Sequence, residues 1–491
     1  MVIASWKRNG VPIWGWVASL VVLLNMGHSV AVADNHELSG NERNRYLLLD
    51  SRIIGHAENA ELTLGKVKKS SSNPLFEEDK PWEVRFDNLY ANVMFDEEEG
   101  IYKCWYSPFI KDISSKGMTV AERKERAYIA PPREMAICYA TSEDGITWVK
   151  PEMGLVEFEG NKKNNILWRG DGTQADVGDG PHGTGIFKDM REPDPQRRYK
   201  ALLKSEILSI AFSPDGIHWG PAMTRPEADS AGDTHNNAFW APTLGKYVGI
   251  TREWGQAGGR QVARTTSPDF LNWDKCEIVL EGLEENFQTY AMPVFYYGGI
   301  YLGLVAIHDQ EADRVWTELT WSPDTVTWNR VLPGTPLIPN AGEEGDYDWG
   351  CIYAAATPVF LKDEIRLYYG SSDGNHNVWR NGYFCLATLR PDGFAGYTQT
   401  ETLKPAILRT TEISPGTGPL QVSADIAGAG YVKLRVFDEN NEQIAESERL
   451  HGILSNEEVR WQNGFSASEQ EKIKIEFEFQ HATIYSFNFG E

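Results

Sequence analysis

A turn motif recurs along the chain and constrains its fold more than any other feature. Two copies, Ser142–Trp148 and Ser213–Trp219, share the pattern Ser-x-Asp-Gly-x-x-Trp. Looser copies occupy Ser267–Trp273 and Ser322–Trp328, and a degenerate fifth copy covers 390–394. Successive aspartates are 54 to 71 residues apart, which indicates repeated sheet units joined by loops of variable length.

The residue types of the motif point to a structural role. Asp and Gly favour a tight turn, and the Trp that follows can close the apolar gap between neighbouring sheets. A catalytic role for every aspartate would need five equivalent sites. We therefore predict that these turns belong to the scaffold.

The segments between the turns are rich in β-branched and aromatic residues and show few helical patterns, which predicts an all-β fold. Examples are Ile101–Tyr106, Met135–Thr141, Lys246–Thr251, Ile300–Ala306 and Glu364–Gly370. Five such units arranged radially form a five-bladed β-propeller, in which each blade protects its edges against the next. We predict this propeller over 46–397, with its functional site at one end of the central axis.

A second region follows the last repeat, at 398–491. Lys472–Phe479 alternates strictly between polar and apolar residues, as a strand with one buried face does. The pattern predicts a small C-terminal β-sandwich, which would be either a module packed on the propeller or a carbohydrate-binding accessory.

The charge of the chain excludes one class of function. The formal net charge is −23, whereas binding to nucleic acid requires clustered Lys and Arg side chains to neutralise phosphates. The 17 Trp residues and 12 % aromatic content supply ample material for a packed core.

The N-terminal residues predict export. Lys7 and Arg8 precede an apolar run from Val11 to Leu24, and Ala31–Ala33 supplies the small-x-small pattern found before signal cleavage. We predict a signal peptide over 1–33, no membrane span after cleavage, and a periplasmic or secreted protein. An uncleaved anchor is the alternative.

The five cysteines show no spacing typical of a metal site. Cys104 and Cys138 lie on segments that could be neighbouring strands, so one disulfide and buried free thiols are the two alternatives.

The signal sequence, the five turns, the final 389–394 turn and the C-terminal β region together resemble the five-bladed propeller glycoside hydrolases of families 43 and 32, the arabinanase, levansucrase and invertase superfamily. The resemblance implies hydrolysis of glycosidic bonds in a poly- or oligosaccharide by carboxylates at the propeller mouth, with no cofactor required and an axial metal ion as an open option. A non-catalytic glycan-binding propeller, or a lyase or transglycosylase on the same scaffold, are the alternatives.

The resemblance also implies which residues would act. Such a site needs one carboxyl group to protonate the leaving oxygen and another to attack the sugar or activate water. Asp87 is the best match for the nucleophile or base, although the family's Asp-Pro motif is absent. Asp179 and Asp233 are the second and third carboxylates, and Glu253 is the candidate general acid. An Asx turn or a salt bridge is the structural alternative for each.

Polar and aromatic residues near the predicted strand ends supply hydrogen bonds, cations and a stacking surface for a sugar. The candidate substrate-binding residues are Asn88, His182, His235, Arg252, Trp254, Tyr290, His308, Asp348, His376 and Arg380. A charged insertion over 108–133 is either a lid over the mouth or a solvated loop.

Overall fold

Short strands joined by turns make up most of the structure, as the repeat spacing predicts. It is a computed structural model that describes residues 45–126, 133–170, 180–255 and 259–490. Within these ranges the helices are α1 (Val120–Glu125) and four 3-10 helices at Ser51–Ile53, Pro195–Arg197, Pro226–Ala228 and Ala467–Glu469. The predicted signal peptide and Asp179 lie outside them. No helix of the described ranges has the length and apolar character needed to cross a membrane.

Five short strands precede the first repeat. They are β1 (Arg45–Leu47), β2 (Ile54–Glu58), β3 (Ala60–Leu64), β4 (Lys68–Lys69) and β5 (Phe76–Glu77).

The first three blades are separate antiparallel sheets. Blade one contains β6 (Asn92–Asp96), β7 (Ile101–Tyr106), β8 (Phe109–Lys111), β9 (Glu134–Ser142) and β10 (Ile166–Arg169). Blade two contains β11 (His182–Lys188), β12 (Tyr199–Lys204), β13 (Leu208–Ser213) and β14 (Met223–Thr224). Blade three contains β15 (Asn237–Ala241), β16 (Lys246–Trp254), β17 (Arg260–Ser267) and β18 (Glu277–Leu280).

Blades four and five are joined by a single parallel pairing between Val315 and Cys351. Blade four contains β19 (Phe287–Ala291), β20 (Val294–Tyr297), β21 (Ile300–Asp309), β22 (Arg314–Ser322) and β23 (Asn329–Val331). Blade five contains β24 (Cys351–Ala354), β25 (Val359–Phe360), β26 (Ile365–Ser372) and β27 (Gly382–Leu389). The N-terminal strands β4 and β5 pair with β27 and complete the last blade. The predicted all-β, five-bladed propeller fold is confirmed.

The C-terminal β-sandwich is also confirmed, and it includes strands from the N-terminal side. Its later strands are β28 (Ala395–Gln399), β29 (Ala406–Thr410), β30 (Leu420–Phe437), β31 (Gln443–Glu446), β32 (Ile453–Glu458) and β33 (Lys474–Phe489). β1 pairs with β33, β2 with β29 and β3 with β28, around an apolar core of its own. The boundary predicted at residue 398 stays a prediction.

The repeat turns have the scaffold role that their composition predicts. In the first, the Asp144 carboxylate accepts the backbone N–H groups of Ile146 and Thr147 at 2.7 Å each and the Ser142 hydroxyl at 2.9 Å. Asp215, Asp269 and Asp324 accept the equivalent N–H groups in the next three turns. Each carboxylate therefore caps its own turn.

Replacing Asp144 by Ala should lower the free energy of unfolding by about 1 kcal/mol, because two backbone N–H groups lose the acceptor that a capping carboxylate provides. Chemical denaturation followed by Trp fluorescence measures the change. Glu143→Ala, at the exposed neighbouring position, is the matched control and should leave stability almost unchanged. Equal effects of the two variants would contradict the capping role.

The degenerate fifth copy connects the propeller to the sandwich. Asp392 is fully buried, and its Oδ1 accepts hydrogen bonds from Arg45 at 2.7 Å and Tyr297 at 2.5 Å. Its Oδ2 accepts the hydroxyl groups of Ser423 and Ser486. The aspartate of the last repeat therefore joins Tyr297 of the propeller to Arg45, Ser423 and Ser486 of the β-sandwich.

All five cysteines are buried and free. Of the two alternatives for Cys104 and Cys138, the structure shows the free thiols, on the paired strands β7 and β9.

Candidate active site

The first strand of each blade lies against the first strands of other blades, which places them around the axis. Asn92 of blade one donates to the Thr184 carbonyl of blade two at 2.8 Å. Asn237 of blade three donates to the Ala356 carbonyl of blade five and accepts the Val294 N–H of blade four. In each blade the strand nearest the axis runs antiparallel to the strand that follows it. The start of the inner strand and the end of the following strand therefore lie at the same end of the ring. We call that end the mouth.

The segment that leads into the first blade has an unusual backbone. Asp87, Leu89 and Tyr90 have φ values of 54°, 61° and 47°, in the left-handed region that non-glycine residues rarely adopt. Backbone of this kind costs about 1–3 kcal/mol per residue and clusters at functional sites. The outliers therefore mark this segment independently of its polar side chains.

Asp87 lies at the mouth in an ion-pair network. Its Oδ1 is 2.7 Å from Arg380 Nη2 and 3.2 Å from Arg85 Nη1. Arg380 also donates to Asn88 Oδ1 at 3.0 Å. Burial alone would raise the pKa of Asp87, but Arg380, Arg85, Arg133 and His182 outweigh it and hold that pKa below its usual value. Asp87 is therefore ionised at neutral pH.

Asp233 is the second carboxylate at the mouth, and its side chain is 46 % exposed. Its Oδ2 accepts a hydrogen bond from Arg252 at 2.6 Å, and its Oδ1 lies 3.4 Å from His182 Nε2 and 3.5 Å from Lys204 Nζ. Burial opposes ionisation, but His182, Arg252 and Lys204 lower the pKa of Asp233. His182 of blade two thus contacts Asp233, and its ring also lies 5.6 Å from the Tyr90 ring, centroid to centroid, beside Asp87.

Histidine and tyrosine side chains fill the axis below these carboxylates. The His376 ring lies 4.4 Å from His308 and 4.8 Å from Tyr290, centroid to centroid, and its Nδ1 is 2.9 Å from the Tyr353 hydroxyl. His308 Nε2 lies 3.1 Å from Asp313. Burial lowers the pKa of His376 and His308, so both rings are neutral near pH 7.

His235 is in the same column of rings, 5.1 Å from Tyr90 between centroids. It is almost fully buried, and burial lowers its pKa to about 3. The Tyr290 hydroxyl accepts a hydrogen bond from Asn88 Nδ2 at 3.3 Å. Almost fully buried, neutral imidazoles and phenols therefore fill the axis beneath the mouth.

Trp254 supplies an exposed aromatic surface beside these groups. Its side chain is 54 % exposed, and the guanidinium groups of Arg252 and Arg260 lie 5.8 Å and 5.2 Å from its ring centroid. An exposed indole at a polar mouth can stack against the apolar face of a sugar ring.

Two of the predicted residues are not brought to the mouth. Glu253 follows Arg252 on β16, so the two side chains point to opposite faces of the blade. Burial raises the pKa of Glu253, which Ser230, Asp229, Arg252 and Lys275 also influence. Asp348 is buried in blade five, 2.5 Å from Lys69 Nζ, and accepts the Tyr369 hydroxyl at 3.0 Å.

The described residues include no group of three or more His, Cys, Asp or Glu side chains arranged to ligate a metal ion. The histidines at the axis instead contact Tyr, Asp and Gln side chains, as in the Tyr353–His376 and Gln310–His308 pairs.

The insertion that contains α1 contacts blade five. Arg123 on α1 is buried, and its Nη1 lies 2.5 Å from Asp373 Oδ1. Lys124 pairs with Glu344 at 2.5 Å. Asp373 lies on the loop that leads to Arg380, so the described part of the insertion is attached beside the mouth. Its residues 127–132 lie outside the described ranges.

Glu78 supports the Asp87–Arg380 pair from behind. Its Oε1 accepts the backbone N–H groups of Phe86 at 2.7 Å and Gly382 at 3.0 Å. A Cβ atom on Gly382 would lie 2.5 Å from the Phe86 Cβ, so the two chain segments can approach this closely only with glycine here. Glu78 thereby fixes the segment before Asp87 against the segment after Arg380.

Glu78→Gln should change how stability depends on pH. Burial raises the pKa of Glu78 to about 8, so between about pH 4 and 8 the folded state keeps a proton that the unfolded state has lost, and stability falls as pH rises. Glutamine cannot titrate and retains the accepting oxygen. Relative to wild type, the variant should gain about 4 kcal/mol in the free energy of unfolding between about pH 5 and pH 9.

Urea denaturation at several pH values measures this difference. Glu77→Gln, at the exposed adjacent position, is the matched control and should show no such trend. A constant difference between Glu78→Gln and wild type across the range would contradict a buried, protonated Glu78.

Sequence reasoning did not single out several residues that contribute to the mouth: Glu78, Arg85, Tyr90, Arg133, Lys204, Arg260 and Tyr353. Two of them had a detectable signal, since Arg85 and Tyr90 flank Asp87 and Asn88 in one short polar segment. Lys204 pairs across strands with His182 in blade two, and Arg260 pairs with Trp254 in blade three, so strand pairing that the sequence does not reveal places both beside predicted residues.

Comparisons with known proteins find distant similarity only. No family model matches the chain, and no curated protein matches it significantly. A glycosyl hydrolase from Bacteroides ovatus has 14 % sequence identity, with 67 % of this chain and 95 % of that chain covered and a TM-score of 0.47. An N-acetylgalactosamine deacetylase from F. plautii has 15 % identity, coverage of 68 % and 96 %, and a TM-score of 0.41.

A structure from work on the GH130 family of mannoside phosphorylases, which contains glycoside hydrolases that target β-1,2 mannosidic linkages in Candida mannan, has 15 % identity, coverage of 67 % and 95 %, and a TM-score of 0.46. Glycoside hydrolases thus recur among the similar structures. At these identities and TM-scores the similarity assigns no activity, and the relation to families 43 and 32 stays a prediction.

Proposed function

We propose that the mouth is a carbohydrate-binding active site that hydrolyses a glycosidic bond, with Asp87 as nucleophile or base. One observation supports this most directly: two ionised carboxylates, Asp87 from blade one and Asp233 from blade three, lie around His182 of blade two at one end of the axis. An ionised carboxylate can attack the sugar as a nucleophile, or can activate a water molecule by removing its proton. It can also stabilise the positive charge that develops on the sugar ring.

The surroundings fit a sugar better than an apolar ligand. Asp233 is 46 % exposed and Arg260 is half-buried, so the mouth offers both an acceptor and a donor of hydrogen bonds, as sugar hydroxyl groups require. Trp254 adds a stacking surface. The strained backbone at Asp87, Leu89 and Tyr90 is of the kind that persists where function requires it.

The proton donor comes from a group other than Asp87 and Asp233, because a lowered pKa leaves a carboxyl group without a proton near pH 7. Asp179 and Glu253 remain the predicted candidates. Glu253 has a raised pKa, as a general acid requires, but its side chain points to the opposite face of the blade from Arg252 and so away from the mouth. Asp179 is therefore the better candidate for the general acid.

A glycan-binding function without catalysis is the second candidate. It is favoured by the same ion pairs, because Asp87 and Asp233 are each bound by an arginine, and such carboxylates serve well as fixed acceptors for sugar hydroxyl groups.

A polysaccharide screen tests the proposal. Wild-type protein and the double variant Asp87→Asn with Asp233→Asn are incubated with neutral and charged polysaccharides, and reducing ends and binding are measured in parallel. Release by the wild type and not by the double variant supports hydrolysis. Binding by both proteins without release supports the second candidate. Equal release by both would exclude these carboxylates from the reaction.

We also propose that the protein is exported and that its signal peptide is removed after Ala33. Expression with residues 1–33 in a Gram-negative host, followed by mass determination of the periplasmic protein, tests this. A mature N-terminus at Asp34 supports export, whereas an intact N-terminus in the membrane fraction supports the uncleaved anchor.

A further inference from the structure

The mouth concentrates positive charge in a chain whose overall formal charge is −23. The ion pairs around the two mouth carboxylates join Arg85, Arg133, Lys204, Arg252 and Arg380 to Asp87, Asp112 and Asp233. Cations outnumber carboxylates in this network, and Arg260 adds a further charge. An excess of one sign at a cleft attracts ligands of the opposite sign.

Arg260 is the mouth cation with the least compensation. It is half-buried, and its Nη1 donates to the neutral Gln288 Oε1 at 2.9 Å. Among the described residues, no carboxylate lies within ion-pair distance of it. An uncompensated, half-buried guanidinium group is a ready partner for an anion.

Arg252 lies beside Arg260 and offers a second donor. Its Nη2 binds Asp233, but its buried Nη1 has no hydrogen-bond partner in the described part of the chain. Leaving a buried charged donor unsatisfied costs stability unless water or a ligand binds it. The two guanidinium groups lie 5.0 Å and 5.2 Å from the Tyr290 ring centroid, so they flank one ring.

The electrostatic effect of these arginines reaches the axis. Burial lowers the pKa of His376 well below its usual value, and Arg380, His308, Arg260 and Arg252 lower it further. His376 therefore remains neutral and does not add to the charge, while the arginines set the sign of the field at the mouth.

We propose that the substrate of the proposed glycan-active site is anionic: a sugar whose uronate carboxylate or sulfate ester binds Arg252 and Arg260 while its ring stacks on Trp254. That the ligand is a sugar rests on the proposed function, whereas its negative charge rests on the two arginines alone. Both groups present several oxygens to the planar, multi-donor guanidinium.

Matched pairs of oligosaccharides separate charge from sugar recognition. One pair is trigalacturonate and its methyl ester, which has lost the charge. The other is a sulfated galactan tetrasaccharide and its desulfated form. Calorimetry with the wild type should show at least about tenfold tighter binding of the charged member in one pair. The pair that shows this preference identifies the bound group as a carboxylate or a sulfate. That preference should weaken as salt is added.

Variants test the assigned residues. Arg260→Gln should lower affinity for the charged member at least about tenfold and leave the neutral member within about twofold. Trp254→Ala, at an exposed position, should weaken both members. Arg191→Gln is the matched control, because Arg191 is an exposed arginine that also lies over an indole, 4.0 Å from the Trp240 centroid. It should change neither affinity.

The outcomes distinguish this inference from the proposed function. Charged oligosaccharide bound through Arg260 but never cleaved would support the anionic ligand and reject hydrolysis. Cleavage of neutral glycans with no preference for a charged member would overturn the anionic substrate and leave hydrolysis standing. Absence of binding and cleavage across all four oligosaccharides and the polysaccharide screen would overturn both.

Discussion

Asp87→Asn will lower kcat/KM for glycan cleavage by about 10²–10⁴-fold, the contribution typical of a positioned acid or base. Asparagine tolerates the left-handed backbone that Asp87 adopts, with φ of 54°. Its side-chain oxygen can still accept the hydrogen bond from Arg380. The substitution removes the negative charge that faces the buried Arg380 and so also lowers stability, and rates are compared at a temperature at which both proteins are folded. Initial rates on the glycan identified by the screen measure the effect.

Asp229→Asn is the matched control for this variant. Asp229 also has a left-handed backbone, with φ of 52°, but it lies on the surface in an exposed pair with Lys275. The same chemical change in the same backbone conformation should leave kcat/KM within about twofold of wild type, as is usual for surface positions. If Asp87→Asn behaves like Asp229→Asn, Asp87 is not the nucleophile or base.

The repeat turns made the propeller predictable from sequence. Each turn needs a carboxylate two or three residues before the N–H groups that it caps and an aromatic residue to close the blade, so the constraint is local and visible in the residues around Asp144 or Asp215. The strands that complete the last blade have no such signal. Lys68–Lys69 and Phe76–Glu77 are two residues long, and their pairing with β27 depends on contacts across more than 300 residues.

The candidate site was predictable only where its residues cluster in sequence. Asp87 and Asn88 adjoin one another, as do His182 and the glycines around it, and all lie where an inner strand begins. Glu253 shows the limit of this reasoning. It adjoins Arg252, but neighbouring side chains of a strand point to opposite faces. The segment was therefore predicted correctly, yet only Arg252 lies at the mouth and Glu253 points away from it.

The charge of the mouth could not be predicted from composition. Arg85, Lys204 and Arg380 belong to blades one, two and five, Arg252 and Arg260 belong to blade three, and the five are spread over almost 300 residues of sequence. The net charge of −23 averages over the whole surface, including the capping aspartates of the repeat turns. The ring of blades brings these cations to one end of the axis, where cations outnumber carboxylates in the ion-pair network although the net charge of the chain is negative.

The ion pair between Arg380 and Asp87 also connects the site to the stability of the propeller. Arg380 is fully buried, comes from blade five, and binds residues that lead into blade one. It donates to Asp87, to Asn88 and to the backbone carbonyl of His376. Removing it would leave a buried carboxylate, an amide oxygen and a carbonyl without their main donor.

Arg380→Met should therefore lower the free energy of unfolding by about 3–5 kcal/mol, the range for breaking one side of a buried ion pair. Methionine has a similar apolar stem, so the loss reflects the guanidinium group rather than a large cavity. Urea denaturation followed by Trp fluorescence measures it. Arg449→Met, at an exposed arginine of the β-sandwich, is the control and should change stability by less than about 0.5 kcal/mol.

A double-mutant cycle shows whether Asp87 is the partner that matters. Adding Asp87→Asn to Arg380→Met removes the unpaired carboxylate, so the double variant should be more stable than Arg380→Met alone, and the coupling energy should be about 1–3 kcal/mol. Arg85 remains 3.2 Å from the residue 87 side chain in both variants, which sets an upper bound on that recovery. Additive effects of the two substitutions would mean that Arg380 stabilises the mouth through Asn88 and the His376 carbonyl, and that Asp87 takes its counter-charge from Arg85.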